Sequence, residues 1–143
     1  MISRKLVLAL CLSVLFPLLA LPAFASGVKI NSIQINEPLP GQQVSAGYLW
    51  LCNFSDKEWV LVGVSSSQVD RVEIHDHLHE NGVMKMRQLD QLVIGAGEHK
   101  QFKSHGLHLM VFGLQLGLEK MELVFEFKNG ERVVAQAEVR SLK

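Results

Sequence analysis

The sequence lacks both a surplus of one charge and a set of paired cysteines. Its 143 residues hold 14 Lys+Arg against 14 Asp+Glu, and its two cysteines are Cys11 and Cys52. Domains that bind nucleic acid generally carry a basic surplus, so the balanced charge argues against that function. Two cysteines do not make the disulfide framework of a small secreted domain. The 48% of hydrophobic residues instead indicates a domain that folds around an ordinary apolar core.

One long hydrophobic run is present, and it lies at the N-terminus. A basic start precedes an apolar stretch at residues 6–21, and Ala23-Phe24-Ala25 follows it. This order of a basic segment, a short apolar segment and small residues is typical of a cleaved secretory signal. We predict that residues 1–25 are a signal peptide cleaved after Ala25, that residues 26–143 form a single domain, and that the mature chain is periplasmic.

The cleavage has consequences for anchoring and for the cysteines. The apolar run is shorter than the roughly 20 residues that span a bilayer, so we do not expect a retained anchor. No cysteine stands at the cleavage site, which argues against a lipoprotein. Cys11 is removed with the signal and Cys52 is left alone, so the mature chain has no internal disulfide. We expect Cys52, in an apolar strand-like run, to be buried as a small hydrophobic residue.

The rest of the chain has the pattern of a β protein. Short apolar or alternating runs are separated by turn-forming Pro, Gly, Ser and Asp, and no stretch shows a long helical period with caps. We predict an all-β fold, an antiparallel β-sandwich or barrel of about nine strands with little helix. The predicted strands are residues 29–36, 44–53, 59–64, 69–78, 83–89, 98–103, 108–112, 121–128 and 132–139.

Two Asn-Gly pairs, Asn81-Gly82 and Asn129-Gly130, lie between predicted strands. A two-residue type I′ turn needs positive φ at both positions, which Asn and Gly tolerate. Both pairs therefore predict tight hairpins.

The first hairpin places a set of metal-binding side chains together. With Asn81-Gly82 as its loop, His77 lies opposite Met86, and side chains alternate between the two faces of each strand. Five side chains therefore share one face: His75, His77, His79, Met84 and Met86. A lone Met or His on a strand is usually a packing or solvated residue, so the prediction of a site depends on the joint pattern.

A second pair of such residues, His108 and Met110, lies on one face of a later strand. If that strand neighbours the hairpin, the His and Met side chains of the two elements converge. Thioether sulfur with imidazole nitrogen suits Cu(I), whereas Zn²⁺ prefers thiolate, imidazole and carboxylate, and Ca²⁺ and Mg²⁺ prefer oxygen. His99 and His105 lie in turn-like polar surroundings, and for them a structural role is the expectation.

The spacing of four of these residues resembles the signature of the periplasmic copper chaperone A family. Ten residues separate His75 from Met86, twenty-one separate Met86 from His108, and one separates His108 from Met110. The flanking segments are also similar to the family: Val72-Glu73-Ile74-His75, Glu80-Asn81-Gly82-Val83-Met84-Lys85-Met86-Arg87 and Gly106-Leu107-His108-Leu109-Met110.

The resemblance implies a cupredoxin-like β-sandwich that binds one Cu(I) through these two imidazoles and two thioethers. It also implies delivery to the copper centre of cytochrome c oxidase, directly or through a thiol-bearing partner. The expected recipient is an oxidase assembly protein or oxidase subunit with a dithiol site, and the membrane is reached only through that recipient. We expect a monomer that does not bind nucleic acid.

The chain departs from the family pattern beside the ligands. His77 and His79 stand where relatives often have Met, so they are additional candidate ligands, as is Met84, and they favour Cu(II) or a second ion.

Other classes of function remain open. A copper storage or resistance protein would sequester Cu(I) or Cu(II) without delivering it, and sequence does not separate the two. An electron-transfer cupredoxin needs a thiolate beside two His, but Cys52 is far along the chain from His108. We do not expect an enzyme, because Asp76 and Glu80, the nearest candidate bases, face away from the ligands.

Overall fold

The structure, a computed structural model, describes residues 27–141. Within that range it consists of β-strands joined by turns, and no helix is long and apolar enough to cross a membrane. The predicted signal peptide, residues 1–25, lies outside the described residues. The ten strands are β1 Val28–Asn36, β2 Val44–Asn53, β3 Trp59–Ser65, β4 Arg71–Glu80, β5 Val83–Leu89, β6 Leu92–Ile94, β7 His99–Phe102, β8 His108–Phe112, β9 Lys120–Phe127 and β10 Arg132–Arg140.

The strands form one hydrogen-bonded network in the order β5-β4-β8-β2-β1-β10-β9-β3-β6, with β7 paired to β2. The predicted all-β sandwich is confirmed. All pairings are antiparallel except that of β1 with β10, which run parallel. Strand β2 changes partners along its length, because residues 44–47 pair with β8 and residues 49–52 pair with β7. This arrangement places β8 between β2 and β4 and makes β5 an edge strand.

A single apolar core lies between the inner faces of the strands. It is built by alternation, since every second residue of β2, β8 and β9 is buried. The fully buried side chains come from strands on both sides of the sandwich: Ile35, Leu51, Leu61, Ile94, Leu109, Val111, Leu123 and Phe125.

The sequence predicted nine of these ten strands and missed β6. Three residues are too few to show an alternating pattern. The strand exists because Leu92–Ile94 pairs with β3 and because Ile94 is fully buried in the core.

The two Asn-Gly pairs form different turns. Asn81 and Gly82 have φ of 52° and 77°, and Glu80 pairs with Val83, so the predicted two-residue loop is confirmed. The prediction of a two-residue loop at Asn129-Gly130 is wrong, because only Gly130 has a positive φ, of 85°, and the Phe127 N–H donates to the Glu131 carbonyl. The Glu131 N–H donates to the Asn129 side chain instead, at 3.0 Å, which makes a three-residue loop.

Candidate metal centre

The outward face of β5, β4 and β8 carries the predicted ligands. Pairing of β4 with β5 puts His77 opposite Met86 and His79 opposite Met84, as the sequence predicted. Pairing of β4 with β8 puts His75 opposite His108. Because alternate residues share a face, one surface carries all seven candidates, and we call it the His/Met face: His75, His77, His79, Met84, Met86, His108 and Met110.

The inner part of this face is the pair His75 and His108. They are direct cross-strand neighbours, and their ring centroids lie 5.9 Å apart. On the opposite side of the same strands, Ile74 and Leu109 enter the core. The apolar core therefore holds the two strands that present these imidazoles.

His75 is held by a carboxylate that the sequence reasoning did not single out. Its Nε2 lies 2.8 Å from Oε2 of Glu73, and Oε1 of Glu73 accepts from Arg71 Nε, also at 2.8 Å. Arg71, and then His75, lower the pKa of Glu73 by hydrogen bonding to its carboxylate. The ionised carboxylate only accepts, so the proton of a neutral His75 is on Nε2.

The other ring nitrogen of His75 has no partner within the described chain. Its Nδ1 is buried and makes no hydrogen bond. A buried polar atom without a partner is rare, and such an atom is typical of a functional position or of a site that binds an ion or an ordered water. With Nε2 protonated, Nδ1 carries a bare lone pair, which is the form of imidazole that binds a metal.

His108 is hydrogen-bonded through its other ring nitrogen, Nδ1. Its Nδ1 lies 2.7 Å from the carbonyl oxygen of Gly106, so Nδ1–H donates and Nε2 keeps the lone pair. The residue is only 5% exposed, and this burial lowers the pKa of its imidazole. His108 therefore stays neutral, and able to bind a metal, at lower pH than an exposed histidine.

The methionines lie on either side of this pair. Met110 is half-buried, opposite Glu73 of β4 and Ala46 of β2. Met86 is 50% exposed and lies opposite His77, so it is a diagonal neighbour of His75 rather than a direct one. Diagonal neighbours on a sheet lie within reach of long side chains.

His77 extends the imidazole row, and the structure adds a histidine that the sequence reasoning set aside. The His77 ring stacks on His108 with centroids 5.1 Å apart, and the His105 ring centroid lies 6.0 Å from that of His77. His105 was interpreted as a turn residue, and it does lie in the turn between β7 and β8. The sequence feature that could have indicated a role for His105 was its position three residues before His108.

The remaining candidates lie farther out. His79 is exposed and Met84 is 44% exposed, at the hairpin end of the face. Among the described residues, no three His, Cys, Asp or Glu side chains are gathered tightly enough to hold an ion by themselves. The thioethers of Met84, Met86 and Met110 are the remaining candidate ligands on this face.

The donor set fits copper better than the other common ions. Two lone-pair nitrogens, one buried and unpartnered, lie beside thioether sulfurs, and thioethers select Cu(I). Thiolate is absent from the face: Cys52, on β2, is free and 8% exposed, buried as the sequence predicted.

The chain matches a known protein family over the residues that form the sandwich. A family model described as putative lipoprotein LpqE-like matches residues 28–139, which span the whole sandwich. The uncharacterised protein RP573 of Rickettsia prowazekii is 27% identical, and the alignment covers 83% of this chain and 79% of that protein.

Solved structures share the fold. The copper-bound PCuAC domain from PmoF2 superposes with a TM-score of 0.66 at 18% identity, covering 81% of this chain and 94% of that one. The Cu(I) form of DR1885 from Deinococcus radiodurans gives 0.62 at 24% identity, covering 86% and 81%. The predicted likeness to the periplasmic copper chaperone A family is confirmed in the fold.

Proposed function

The chain belongs to the LpqE-like family, and on this premise we propose that it is a periplasmic copper carrier that binds Cu(I) and gives it to a thiol-bearing acceptor. The ligands are His75 through Nδ1, His108 through Nε2, and the thioethers of Met86 and Met110. The protein is a carrier rather than an enzyme, and copper is its cargo.

One observation supports this proposal more than any other: the buried, unpartnered Nδ1 of His75 beside the neutral His108. Leaving a buried polar atom unsatisfied costs about 1–3 kcal/mol, and a bound metal removes that cost. The hydrogen bonds to Glu73 and to the Gly106 carbonyl orient the two rings from behind, as partners of metal-binding histidines usually do.

The thioethers decide the oxidation state that the site prefers. Met86 and Met110 are neutral and need no deprotonation, so they bind a soft cation in an oxidising compartment where paired cysteines would form a disulfide. His77 and His79 add imidazoles, which suit Cu(II). We propose that these additional imidazoles hold Cu(II) or a second ion.

Release follows from the charge of the ligands. The four ligands are neutral, and the carboxylate that hydrogen-bonds to one of them, Glu73, does so through the ring nitrogen of His75 that does not bind the metal. Two thiolates of an acceptor are softer and anionic, so they withdraw Cu(I) by ligand exchange. The acceptor that this chemistry fits is a dithiol protein or oxidase subunit on the assembly path of cytochrome c oxidase.

The setting is part of the proposal. Cleavage after Ala25 would release the sandwich into the periplasm as a monomer, in contact with the membrane only through its recipient. The family is described as putative lipoprotein LpqE-like, and its match covers residues 28–139. Lipid attachment near the N-terminus is therefore the alternative to release after Ala25. Mass spectrometry of protein extracted from the periplasm distinguishes a free chain that begins at Ser26 from an acylated one.

The direct test is a Cu(I) titration of protein purified from the periplasm, in competition with a chromophoric Cu(I) chelator. We expect one tightly bound Cu(I) per chain, weaker Cu(II) and little Zn²⁺. His75→Gln and His108→Gln should abolish tight binding. His99→Gln, which removes an exposed imidazole at the start of β7, should not change it. Equal affinity in all four proteins would refute the site.

Delivery is tested separately. The Cu(I)-loaded protein is mixed with an excess of a reduced dithiol acceptor, the two are separated, and copper is measured on each. Copper on the acceptor supports the carrier. Copper retained by this chain would favour storage, the other function that its ligands permit.

A further inference from the structure

His105 lies at the outer end of a row of four imidazoles. Successive ring centroids in the order His75, His108, His77, His105 are 5.9, 5.1 and 6.0 Å apart. Exposure rises along the row from the buried His108 through the half-buried His77 to the exposed His105. The row therefore connects the innermost ligands with the protein surface.

The loop that carries His105 is attached to the inner site. The Lys103 N–H donates to the Leu107 carbonyl at 2.7 Å and closes the loop. The Gly106 carbonyl in the same loop accepts from His108 Nδ1 and lies 3.3 Å from His77 Nδ1. One short turn thus positions three of the four imidazoles.

His105 also has an unusual backbone. Its φ is 59°, in the left-handed region that few residues other than Gly adopt, although His, Asn and Asp do so more often than most. Glycine or asparagine would suit the turn better.

The distance from His105 to His77 suits one shared ion. A ring nitrogen lies about 2 Å from the metal it binds, which places the ring centroids of two imidazoles on one ion no more than about 6–6.5 Å apart. The observed 6.0 Å falls within this limit. Met86 lies opposite His77 on the edge strand and offers a thioether at the same level of the face.

We propose that His77 and His105 form an outer Cu(I) site through which copper passes between the buried ligands and a partner protein. The inference rests on the proposed function and adds a route by which copper reaches and leaves the buried ligands. Transfer is ligand exchange without a redox step: a Cu–N bond to the outer imidazole forms as a bond to an inner ligand breaks, and Cu(I) remains Cu(I). An acceptor then contacts an exposed histidine and does not have to reach the buried His108.

The test separates rate from affinity. His105→Asn removes the imidazole while the side chain tolerates the left-handed backbone. The Cu(I)-loaded protein is mixed with excess chelator in a stopped-flow instrument, and the affinity is measured at equilibrium. We expect the transfer rate to fall by about tenfold or more, as a barrier increase of 1.4 kcal/mol would give, while the equilibrium affinity stays close to that of the unaltered protein.

The matched control is His99→Asn, the same substitution at an exposed histidine that contacts Phe54 instead of the His/Met face. It should leave both the rate and the affinity unchanged. An unchanged rate in His105→Asn, or an equal slowing in His99→Asn, would overturn the outer site and leave the proposed function standing. A loss of affinity in His105→Asn as large as that in His108→Gln would make His105 an inner ligand, which also overturns it. Failure of the unaltered protein to bind Cu(I) would instead refute the proposed function.

Discussion

The inner and outer halves of the His/Met face are built by different means. The inner half, His75, His108 and Met110, lies on two strands inside the sheet, and both of its rings are fixed by hydrogen bonds at 2.7–2.8 Å. The outer half, with His77 and Met86, lies toward the hairpin end of β4 and on the edge strand β5, and the turn that carries His105 adjoins it. We expect the inner half to supply most of the affinity for Cu(I), and the outer half to supply one ligand, Met86, and access from the surface.

The strands that carry the two halves also differ in burial, and most of the inner half lies on the more buried strand. Leu109 and Val111 of β8 are fully buried, whereas every residue of β5 except Leu89 is exposed. A strand held by the core keeps its side chains in one arrangement, while exposed side chains on an edge strand change position at little cost in packing.

The largest expected effect is on the free energy of unfolding, which should respond differently to substitutions in the two strands. Leu109→Ala removes a core side chain directly behind the inner ligands and should lower the free energy of unfolding by about 2–5 kcal/mol. Val83→Ala, on the exposed edge strand, should change it by less than about 0.5 kcal/mol. Urea denaturation of the copper-free protein measures both, and similar losses would contradict the contrast between the two strands.

A second test compares the two thioethers. Met110→Leu and Met86→Leu conserve volume, so the fold should be retained. Together they should weaken Cu(I) binding by about 100-fold or more, or about 2.7 kcal/mol, because the soft ligands are gone. The half-buried Met110 should account for more of the loss than the exposed Met86. Unchanged Cu(I) affinity in the double variant would remove both residues from the site.

A smaller effect is expected from the carboxylate behind His75. Glu73→Gln removes the charge while keeping a polar side chain, and should weaken Cu(I) binding by about tenfold. Glu80→Gln is the matched control, because Glu80 pairs with Lys85 and Arg87 away from the ligands. An equal result for the two variants would show that Glu73 has no part in holding the imidazole. The ring carbon and nitrogen chemical shifts of His75 report the tautomer directly.

The smallest effect concerns acid stability without copper. Burial lowers the pKa of His108 below its ordinary value of 6.5, so the folded protein binds fewer protons there than the unfolded chain does. Its contribution to stability is therefore complete above about pH 6.5 and is lost as the pH falls through the lowered pKa. Urea titrations at several pH values should show this decline, and His108→Gln should reduce it. Identical pH profiles would mean that His108 does not contribute.

Much of the hairpin half of the site was predictable because its information is local. Side chains alternate along a strand, and the Asn81-Gly82 turn sets which residues of β4 and β5 are opposite one another. The pairing of His77 with Met86 therefore follows from residues less than ten positions apart. Glu73 was also readable by alternation as a neighbour of His75, but its hydrogen bond was not.

The other half required information from distant parts of the chain. That His108 lies opposite His75 depends on pairing between β4 and β8, with the whole of β5, β6 and β7 between them. The wrong prediction at Asn129-Gly130 has a different, local cause: the Glu131 N–H donates to the Asn129 side chain, and the backbone takes a three-residue loop that the Asn-Gly pair alone does not distinguish from a two-residue one.

By itself the sequence determined which residues are ligand types and which of them share a face, because a period of two and a tight turn are properties of neighbouring residues. Tertiary structure decided which rings meet, which nitrogen of each is free, and that His105 joins the row. The meeting of His75 with His108 depends on the pairing of β4 with β8, and the contact of His105 with His77 depends on the turn before β8. The hydrogen bonds that the two rings donate to Glu73 and to the Gly106 carbonyl each span only two residues, but the burial that leaves Nδ1 of His75 without a partner requires the packed sheet.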